Sequence, residues 1–189
     1  MPATLAPVSL RLTPQEYFDW EETQEEKHDY IHGEVFAMSG ATRTHDILAG
    51  NLYVALHLAF RDTECSVFSS DMRVQVEAGG RYTYPDLSAL CGAPEFTSPK
   101  ENTLSNPALV VEVLSESTES YDRGDKLDVY RTVPSIREIV LVRQDRRAVQ
   151  AWRQQGARWT VEDLGEGTLA LASAGAEVTL DELYAGTRL

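Results

Sequence analysis

The 189-residue sequence predicts a fold of mixed α/β class, with helices and strands in the order α-β-α-β-β-β-α-β. Three patterns predict this class. The first is a repeat of apolar residues at helical spacing, which predicts a long amphipathic helix. The second is an alternation of apolar and polar residues that ends in a Gly-Gly turn, which predicts a β-hairpin. The third is a short, continuous apolar run that is typical of a buried strand. With 42% hydrophobic residues, the chain can bury a core of its own.

The first third of the chain predicts two helices with a strand between them. A short helix runs from Pro14 to about Glu22, because Thr13 offers an N-cap and proline suits the first helical position. A strand follows over Gly33 to Met38. Apolar residues at helical spacing then predict an amphipathic helix from about Thr42 to Arg61. These apolar residues are Ile47, Leu48, Leu52, Leu56 and Ala59.

The middle of the chain predicts a hairpin, a long loop and a buried strand. Apolar and polar residues alternate from Met72 to Val76, and Gly79-Gly80 then turns the chain into a second strand, Tyr82 to Leu90, which should pair antiparallel with the first. The polar segment from Cys91 to Pro107 contains three prolines and predicts a loop. Residues Ala108 to Leu114 form the apolar run that predicts a buried strand.

The last third predicts one helix and several strands. The helix covers about Tyr121 to Thr132 and is ended by Pro134. The apolar, β-branched segment from Arg137 to Val142 predicts a further central strand. The remainder predicts a C-terminal β-meander with a closing turn, made of Ala148–Trp152, Arg158–Leu164, Leu169–Leu171 and Leu180–Tyr184.

The charge of the chain opposes binding to a polyanion. The net charge is −13, whereas proteins that bind nucleic acid draw much of their affinity from lysine and arginine. Only residues 143–158 are locally basic, with five arginines against Asp145. This segment could form a basic face, although the solvent side of a β-meander is the simpler interpretation. The acidic stretch from Glu21 to Asp29 is most simply a solvated helix end.

The two cysteines and the absence of long apolar segments bear on location. Cys65 and Cys91 are too few for a disulfide framework and too far apart for a local zinc-binding pair, so we interpret them as small buried residues in a reducing cytoplasm. No apolar run approaches the length of a membrane span, and Met1 to Leu12 lacks the pattern of a secretory signal. We therefore expect a cytoplasmic protein without a membrane partner.

Glu112 is the strongest sign of a functional site. The other six residues of its predicted strand are apolar, and an unpaired carboxylate there would cost several kcal/mol. A metal ion, a basic partner or a hydrogen-bond network must compensate it. Asp86 supplies a second acid on a strand that could lie next to the first, which favours a metal over the simpler reading of Asp86 as a strand-start residue. Because no histidine or cysteine cluster is nearby, we expect Mg²⁺ or Mn²⁺.

A metal-bound phosphodiester also calls for a cation close to the phosphorus, where negative charge develops. Lys126 is the candidate, because it lies on the helix that follows the Glu112 strand. Tyr130, four residues further on, would share its face of the helix. The alternative for Lys126 is an ion pair with Asp122 on the protein surface.

Three motifs in this order resemble the Uma-type restriction endonucleases of the PD-(D/E)XK nuclease superfamily. They are Tyr84-Pro85-Asp86, the segment from Asn106 to Ser115, and the segment from Tyr121 to Lys126. The resemblance extends from about Tyr30 to Trp152 and includes Gly33-Glu34 and His45. It implies a restriction-endonuclease-like core with a central mixed β-sheet flanked by helices. We expect one domain over 1–189, with 1–29 an N-terminal helical extension, 30–152 the nuclease core and 153–189 a C-terminal β extension.

The resemblance also implies roles for individual residues. Asp86 and Glu112 would bind the metal, with the backbone carbonyl of Val113 as a further ligand. The superfamily motif has a lysine two residues after the second acid, where this chain has Leu114. The Uma-type pattern instead has a lysine on the following helix, which matches Lys126.

Two further positions match the family. Glu34 could accept a hydrogen bond from a metal-bound water, and His45 could contact substrate or orient Glu34. Tyr130 joins His45 as a residue that could contact substrate or support the site. The simpler readings stay open, namely a surface strand acid for Glu34 and a capping or core role for His45.

The sequence therefore predicts a magnesium-dependent endonuclease that hydrolyses phosphodiester bonds in nucleic acid, most simply DNA, and that could act as a homodimer. Two alternatives stay open. One is a catalytically inactive nuclease-fold module that binds nucleic acid or a protein partner, which the acidic net charge favours. The other is a magnesium-dependent phosphohydrolase of a small phosphate ester, although no glycine-rich phosphate loop is present.

Overall fold

A computed structural model describes residues 7–38, 40–115 and 122–189. Tyr121, the first residue of the predicted third helix, lies outside the described residues. The helices are α1 (Pro14–Glu21), α2 (Arg43–Ala59), α3 (Leu127–Tyr130) and α4 (Leu180–Leu183), and a π-helical turn over Asp122–Lys126 precedes α3. The strands are β1 (Pro7–Arg11), β2 (His28–Ile31), β3 (Glu34–Ala37), β4 (Cys65–Ser69), β5 (Arg73–Glu77), β6 (Arg81–Thr83), β7 (Leu87–Cys91), β8 (Thr103–Leu104), β9 (Leu109–Leu114), β10 (Glu138–Arg143), β11 (Val149–Gln155), β12 (Arg158–Leu164), β13 (Thr168–Leu171) and β14 (Ala176–Thr179).

The strands form two large sheets and one small pair. We call the first the N-terminal sheet, with strand order β1-β3-β2-β6-β5-β8, and the second the central sheet, with order β12-β11-β10-β9-β7-β4. In the central sheet β9 runs parallel to β10 and antiparallel to β7. The predicted central mixed sheet is thereby confirmed. Strands β13 and β14 pair separately as an antiparallel hairpin.

Helices cover both faces of the central sheet because β9 alternates its apolar side chains between them. Val111 and Val113 pack in one core with Leu48, Leu52 and Leu56 of α2. Val110 and Leu114 pack in the other core, together with Leu127 and Tyr130 of α3. Each fully buried aliphatic side chain contributes roughly 1.5–3 kcal/mol. This alternation places Glu112 on the α3 side of the sheet.

The segment predicted as one strand over Tyr82 to Leu90 is two strands in different sheets. The predicted turn at Gly79-Gly80 does join β5 to β6 antiparallel, and Gly79 has a φ of +70° that favours glycine. The chain then leaves the N-terminal sheet and enters the central sheet as β7. Pro85 lies between the two strands, because proline lacks the N–H that a continuous strand would need. Asp86 therefore stands at the point where the chain crosses between sheets.

The predicted helix after β9 is shorter and less regular than its sequence pattern indicates. The π-helical turn contains non-helical backbone at Gly124 (φ −100°, ψ −105°), and α3 makes a single turn before Arg131. Glycine carries a conformational penalty within a helix, which explains the interruption. The result is that Lys126 lies at the junction between the two turns.

The acidic stretch from Glu21 to Asp29 is only partly a solvated helix end: Glu22, Glu25 and Glu26 are exposed after the end of α1, but the two outer acids are buried. Glu21 and Asp29 are only 8% and 4% exposed, and residues from His28 onward form β2. Both oxygens of Glu21 bind His28, one through its backbone amide (2.8 Å) and the other through its ring Nδ1 (3.0 Å). The high charge of the stretch concealed a strand that pairs with β3 and β6.

The interpretation of the cysteines as unpaired residues is wrong. Cys65 on β4 lies directly opposite Cys91 on β7, and the two form a disulfide. The strand pairing brings together residues that are 26 positions apart in sequence. The cysteines consequently no longer support a reducing compartment. Within the described residues, no helix is long and apolar enough to cross a membrane.

Candidate active site

Strand register brings the two predicted metal-binding acids together. β7 pairs with β9 so that Leu87 lies opposite Val111, which sets Asp86 level with Glu112. Oδ2 of Asp86 accepts a hydrogen bond from the backbone amide of Val113, at 2.6 Å. The expected neighbouring strands are therefore present, with Glu112 on β9 and Asp86 immediately before β7.

Glu112 is buried and has strong partners on the α3 side of the sheet. It is 3% exposed, and its Oε1 lies 2.8 Å from Nζ of Lys126 and 2.6 Å from the hydroxyl of Tyr130. The Tyr130 hydroxyl in turn lies 3.1 Å from Oγ1 of Thr83. Of the three compensators expected for Glu112, a basic partner and a hydrogen-bond network are therefore both present.

Lys126 does not lie on the surface. Its side chain is 6% exposed, which contradicts the alternative reading of Lys126 as a surface residue. The superfamily position for the lysine is taken by Leu114, which packs in the α3-side core. Lys126 brings its ammonium group to the same carboxylate from the following helical turn. The structure thus places this cation beside Glu112, and its role at a phosphorus atom stays a prediction.

Tyr130 acts as a neutral hydrogen-bond donor. Burial raises the pKa of its hydroxyl well above the ordinary value of 10.0, and the negative charge of Glu112 raises it further, while Lys126 acts in the opposite direction. The phenol consequently stays protonated at neutral pH. It can donate to Glu112 and fix the orientation of that carboxylate.

His45 lies on the α2 side of the site and contacts the other acid. Its Nε2 is 3.1 Å from Oδ1 of Asp86, and both side chains are largely buried, at 17% and 12% exposed. The backbone amide of His45 binds the N-cap hydroxyl of Thr42, so His45 occupies the first turn of α2. The contact with Asp86 was not foreseen from the sequence, which had paired His45 with Glu34.

Glu34 forms an ion pair with Arg11 in the N-terminal sheet. It stands on β3, and its Oε1 binds the guanidinium of Arg11 at 3.1 Å. The Glu34 side chain is 42% exposed. The surface reading of Glu34 agrees with this placement, and its contact with a metal-bound water stays a prediction.

The segment Tyr84–Asp86 is held by two buried acids that the sequence did not single out. The Tyr84 amide binds Oδ1 of Asp29, and the Tyr84 hydroxyl binds Oε1 of Glu21, each at 3.1 Å. A signal for them existed in the sequence, because acids next to the aromatic residues Trp20 and Tyr30 are candidates for buried pairs. Tyr84, two residues before Asp86, is thus anchored from α1 and β2, while Asp86 itself is held from β9.

Comparison with known proteins identifies the family. Residues 14–181 match the Uma2 family, which is described as "Putative restriction endonuclease". The chain belongs to the Uma2 family. The resemblance in the sequence motifs is thereby confirmed, and the match extends beyond both ends of the segment that the motifs had indicated.

Two relatives come from Synechocystis sp. The uncharacterized protein slr1290 is 32% identical over 178 residues, covering 93% of this chain and 93% of the relative. The uncharacterized protein sll1609 is 35% identical over 154 residues, covering 81% of this chain and 87% of the relative. Both alignments cover most of each chain.

A solved structure confirms the fold of this Uma2 chain. It is the crystal structure of "a putative nuclease belonging to DUF820" from Anabaena variabilis ATCC 29413. The two chains align with a TM-score of 0.71 at 16% identity, covering 92% of this chain and 97% of the other. At this identity the likeness establishes the mixed, restriction-endonuclease-like architecture.

The donor set at this Uma2 site suits a hard cation. Within the described ranges, no group of three or more His, Cys, Asp or Glu side chains could hold a metal. A cage built from side chains alone is therefore absent from that part of the chain. Mg²⁺ does not need one, because it binds one or two carboxylates and keeps several waters. Asp86, Glu112 and the carbonyl of Val113 are the groups that would hold it.

Proposed function

We propose that this chain is a divalent-metal-dependent endonuclease that hydrolyses phosphodiester bonds in nucleic acid, with DNA as the substrate. The observation that carries the proposal is the buried Lys126–Glu112 pair at 2.8 Å, level with Asp86, which immediately precedes the neighbouring strand β7. Membership of a family described as restriction endonucleases supports the same reading.

In this proposal the residues of the site have three roles, which are metal binding, charge stabilisation and orientation of the two acids. Asp86, Glu112 and the Val113 carbonyl hold Mg²⁺ or Mn²⁺, which when bound polarises the phosphodiester and lowers the pKa of a coordinated water. Lys126 offsets the negative charge that develops at the phosphorus. Supporting groups fix the two acids: Tyr130 orients Glu112, and His45 orients Asp86.

One observation favours the alternative of an inactive binding module. Lys126 and Tyr130 already compensate the buried charge of Glu112, so burial alone does not demand a metal ion. The net charge of −13 points the same way. The two functions differ in one measurable property, which is metal-dependent cleavage.

The test is digestion of supercoiled plasmid with Mg²⁺, with Mn²⁺ and with a chelator. Glu112→Gln and Asp86→Asn should each reduce cleavage by more than about 100-fold, beyond the 10–100-fold typical of losing an outer-shell partner. The control is Glu166→Gln, since Glu166 is exposed and lies in a turn. Cleavage that persists in the chelator, or in Glu112→Gln, would overturn the proposal. Metal-independent duplex binding without cleavage would establish the binding module.

We further propose that the protein acts as a homodimer, because cutting both strands of a duplex calls for two sites. Light scattering of the purified chain tests the dimer. A monomer at micromolar concentration that still linearises plasmid would contradict it.

A further inference from the structure

The basic segment 143–158 is divided between the two ends of the central sheet. β10 runs parallel to β9, with Leu141 beside Glu112 and Arg143 beside Leu114. The chain then turns through 144–148 and returns as β11. We call residues 143–148 the arginine turn. It projects from the end of the sheet at which Asp86 and Glu112 lie, whereas Arg158 begins β12 at the opposite end.

The arginine turn is held in place by hydrogen bonds from Tyr184 and Thr42. The hydroxyl of Tyr184 lies 2.8 Å from the carbonyl oxygen of Arg143 and 2.9 Å from that of Ala148, and it accepts from the Ala148 amide at 3.1 Å. Gln144 accepts a hydrogen bond from Thr42, the N-cap of the helix that carries His45. The arginine turn and the His45–Asp86 contact are therefore both connected to the N-terminus of α2.

Within the turn, Arg143 forms the closest pair with the acid, and the other two arginines form pairs at the exposed surface. Arg143 binds Asp145 through two nitrogens, at 2.7 and 2.9 Å, and these hydrogen bonds hold the pKa of Asp145 below its ordinary value. Arg146 is 61% exposed and approaches Asp145 at 3.3 Å. Arg147 pairs with Asp181, whose side chain is 87% exposed. Such exposed pairs are weak and can be exchanged for another anion.

We propose that Arg146 and Arg147 bind phosphate groups of the nucleic-acid backbone and so position the strand over Asp86 and Glu112. This inference rests on the proposed nuclease function. An acidic chain that binds a polyanion must concentrate positive charge near its site, and the arginine turn does so at the correct end of the sheet. The partner is recognised through its phosphates, so the contact carries no sequence preference.

The test compares two double variants that remove equal charge from opposite ends of the sheet. Arg146→Gln with Arg147→Gln alters the arginine turn, and Arg137→Gln with Arg158→Gln is the matched control. Binding to a short duplex is measured in a chelator at several salt concentrations. We expect the turn variant to weaken binding by about tenfold and to reduce the slope of log K against log salt by about 2, while the control leaves both unchanged.

The outcomes separate this inference from the proposed function. Equal weakening in both double variants, or none in either, would overturn the role of the arginine turn, even if the native chain cuts plasmid. Native chain that binds duplex through the turn but never cuts it would overturn the nuclease function and leave the turn in place. If the double variant of the turn does not fold, Arg146→Gln alone repeats the comparison. This single change removes only an exposed pair with Asp145, so it should leave the fold intact.

Discussion

The backbone amide of Val113 donates a 2.6 Å hydrogen bond to Oδ2 of Asp86, so the residue after Glu112 fixes the position of the other acid. A charged carboxylate that accepts from a backbone amide is held more firmly than one in solvent. Both acids are consequently oriented by the sheet itself. This preorganisation is what a metal site requires of its ligands.

Replacing Lys126 with Met should destabilise the protein in a way that a divalent cation relieves. The change leaves the carboxylate of Glu112 buried without its basic partner, which typically costs about 3–5 kcal/mol. We expect Mg²⁺ to raise the free energy of unfolding of this variant more than that of the native chain, because the ion would supply the missing positive charge. Urea unfolding with and without Mg²⁺ measures both effects.

Lys100→Met is the control for that change. The pair between Lys100 and Glu22 is exposed, with side chains 66% and 40% accessible, so its loss should cost less than about 1 kcal/mol. An equal Mg²⁺ effect on the native chain and on Lys126→Met would argue that no ion binds at Glu112.

Replacing Tyr130 with Phe should loosen Glu112 without unfolding the protein. The variant loses the 2.6 Å hydrogen bond to Glu112 and the contact with Thr83, which we expect to cost about 1–3 kcal/mol. If Tyr130 orients a metal ligand, Mn²⁺ affinity measured by calorimetry should also fall by about 10–100-fold. Unchanged Mn²⁺ affinity together with reduced stability would limit Tyr130 to a role in packing.

Replacing Cys65 with Ser should lower the free energy of unfolding by about 3 kcal/mol, since the disulfide closes a loop across a sequence separation of 26. A reducing agent should lower the stability of the native chain by a similar amount and leave the variant unaffected. Urea denaturation of the four samples measures this. Identical curves for native chain and variant would show that the cysteines are unpaired in solution.

The tyrosines around the N-terminal sheet should make the protein sensitive to alkali. Burial raises the pKa values of Tyr17, Tyr30, Tyr82 and Tyr84 above the ordinary 10.0. The folded state therefore binds these protons more tightly than the unfolded state, so the stability they contribute is complete below pH 10 and is lost as pH rises above it. Absorbance of tyrosinate, followed with circular dichroism, should show ionisation and unfolding together. Ionisation of all four at pH 10 with the fold intact would contradict this.

Strong periodicity allowed the central elements to be predicted from sequence. The apolar repeat of α2 and the continuous run of β9 each had one structural solution, and Pro14 marked the start of α1. Glu112 also stood out, because a carboxylate within an apolar strand needs a partner that local sequence does not provide. Its pairing with Lys126 then depended on the family motif, and the structure supplies the distance.

The failures arose where tertiary contacts override local composition. The segment from Glu21 to Asp29 is rich in acid and its composition is typical of a solvated segment, yet Glu21 and Asp29 are buried, where they bind His28 and Tyr84. The segment from Tyr82 to Leu90 has the composition of a single strand, so its sequence did not indicate that the chain changes sheets at Pro85. Cys65 and Cys91 meet only because β4 and β7 are neighbours, which no spacing rule reveals. Pairing between distant residues was the missing information in each case.

The anchoring of Tyr84 by Glu21 and Asp29 bears on where a minimal fragment of the protein can begin. A fragment that starts at Tyr30, where the resemblance in the motifs begins, would retain Asp86, Glu112 and Lys126. It would lack both acids that hold the segment leading into Asp86, together with the helix that carries one of them. Residues upstream of Tyr30 therefore support the segment that leads into the first carboxylate, and fragments for crystallisation or assay should include them.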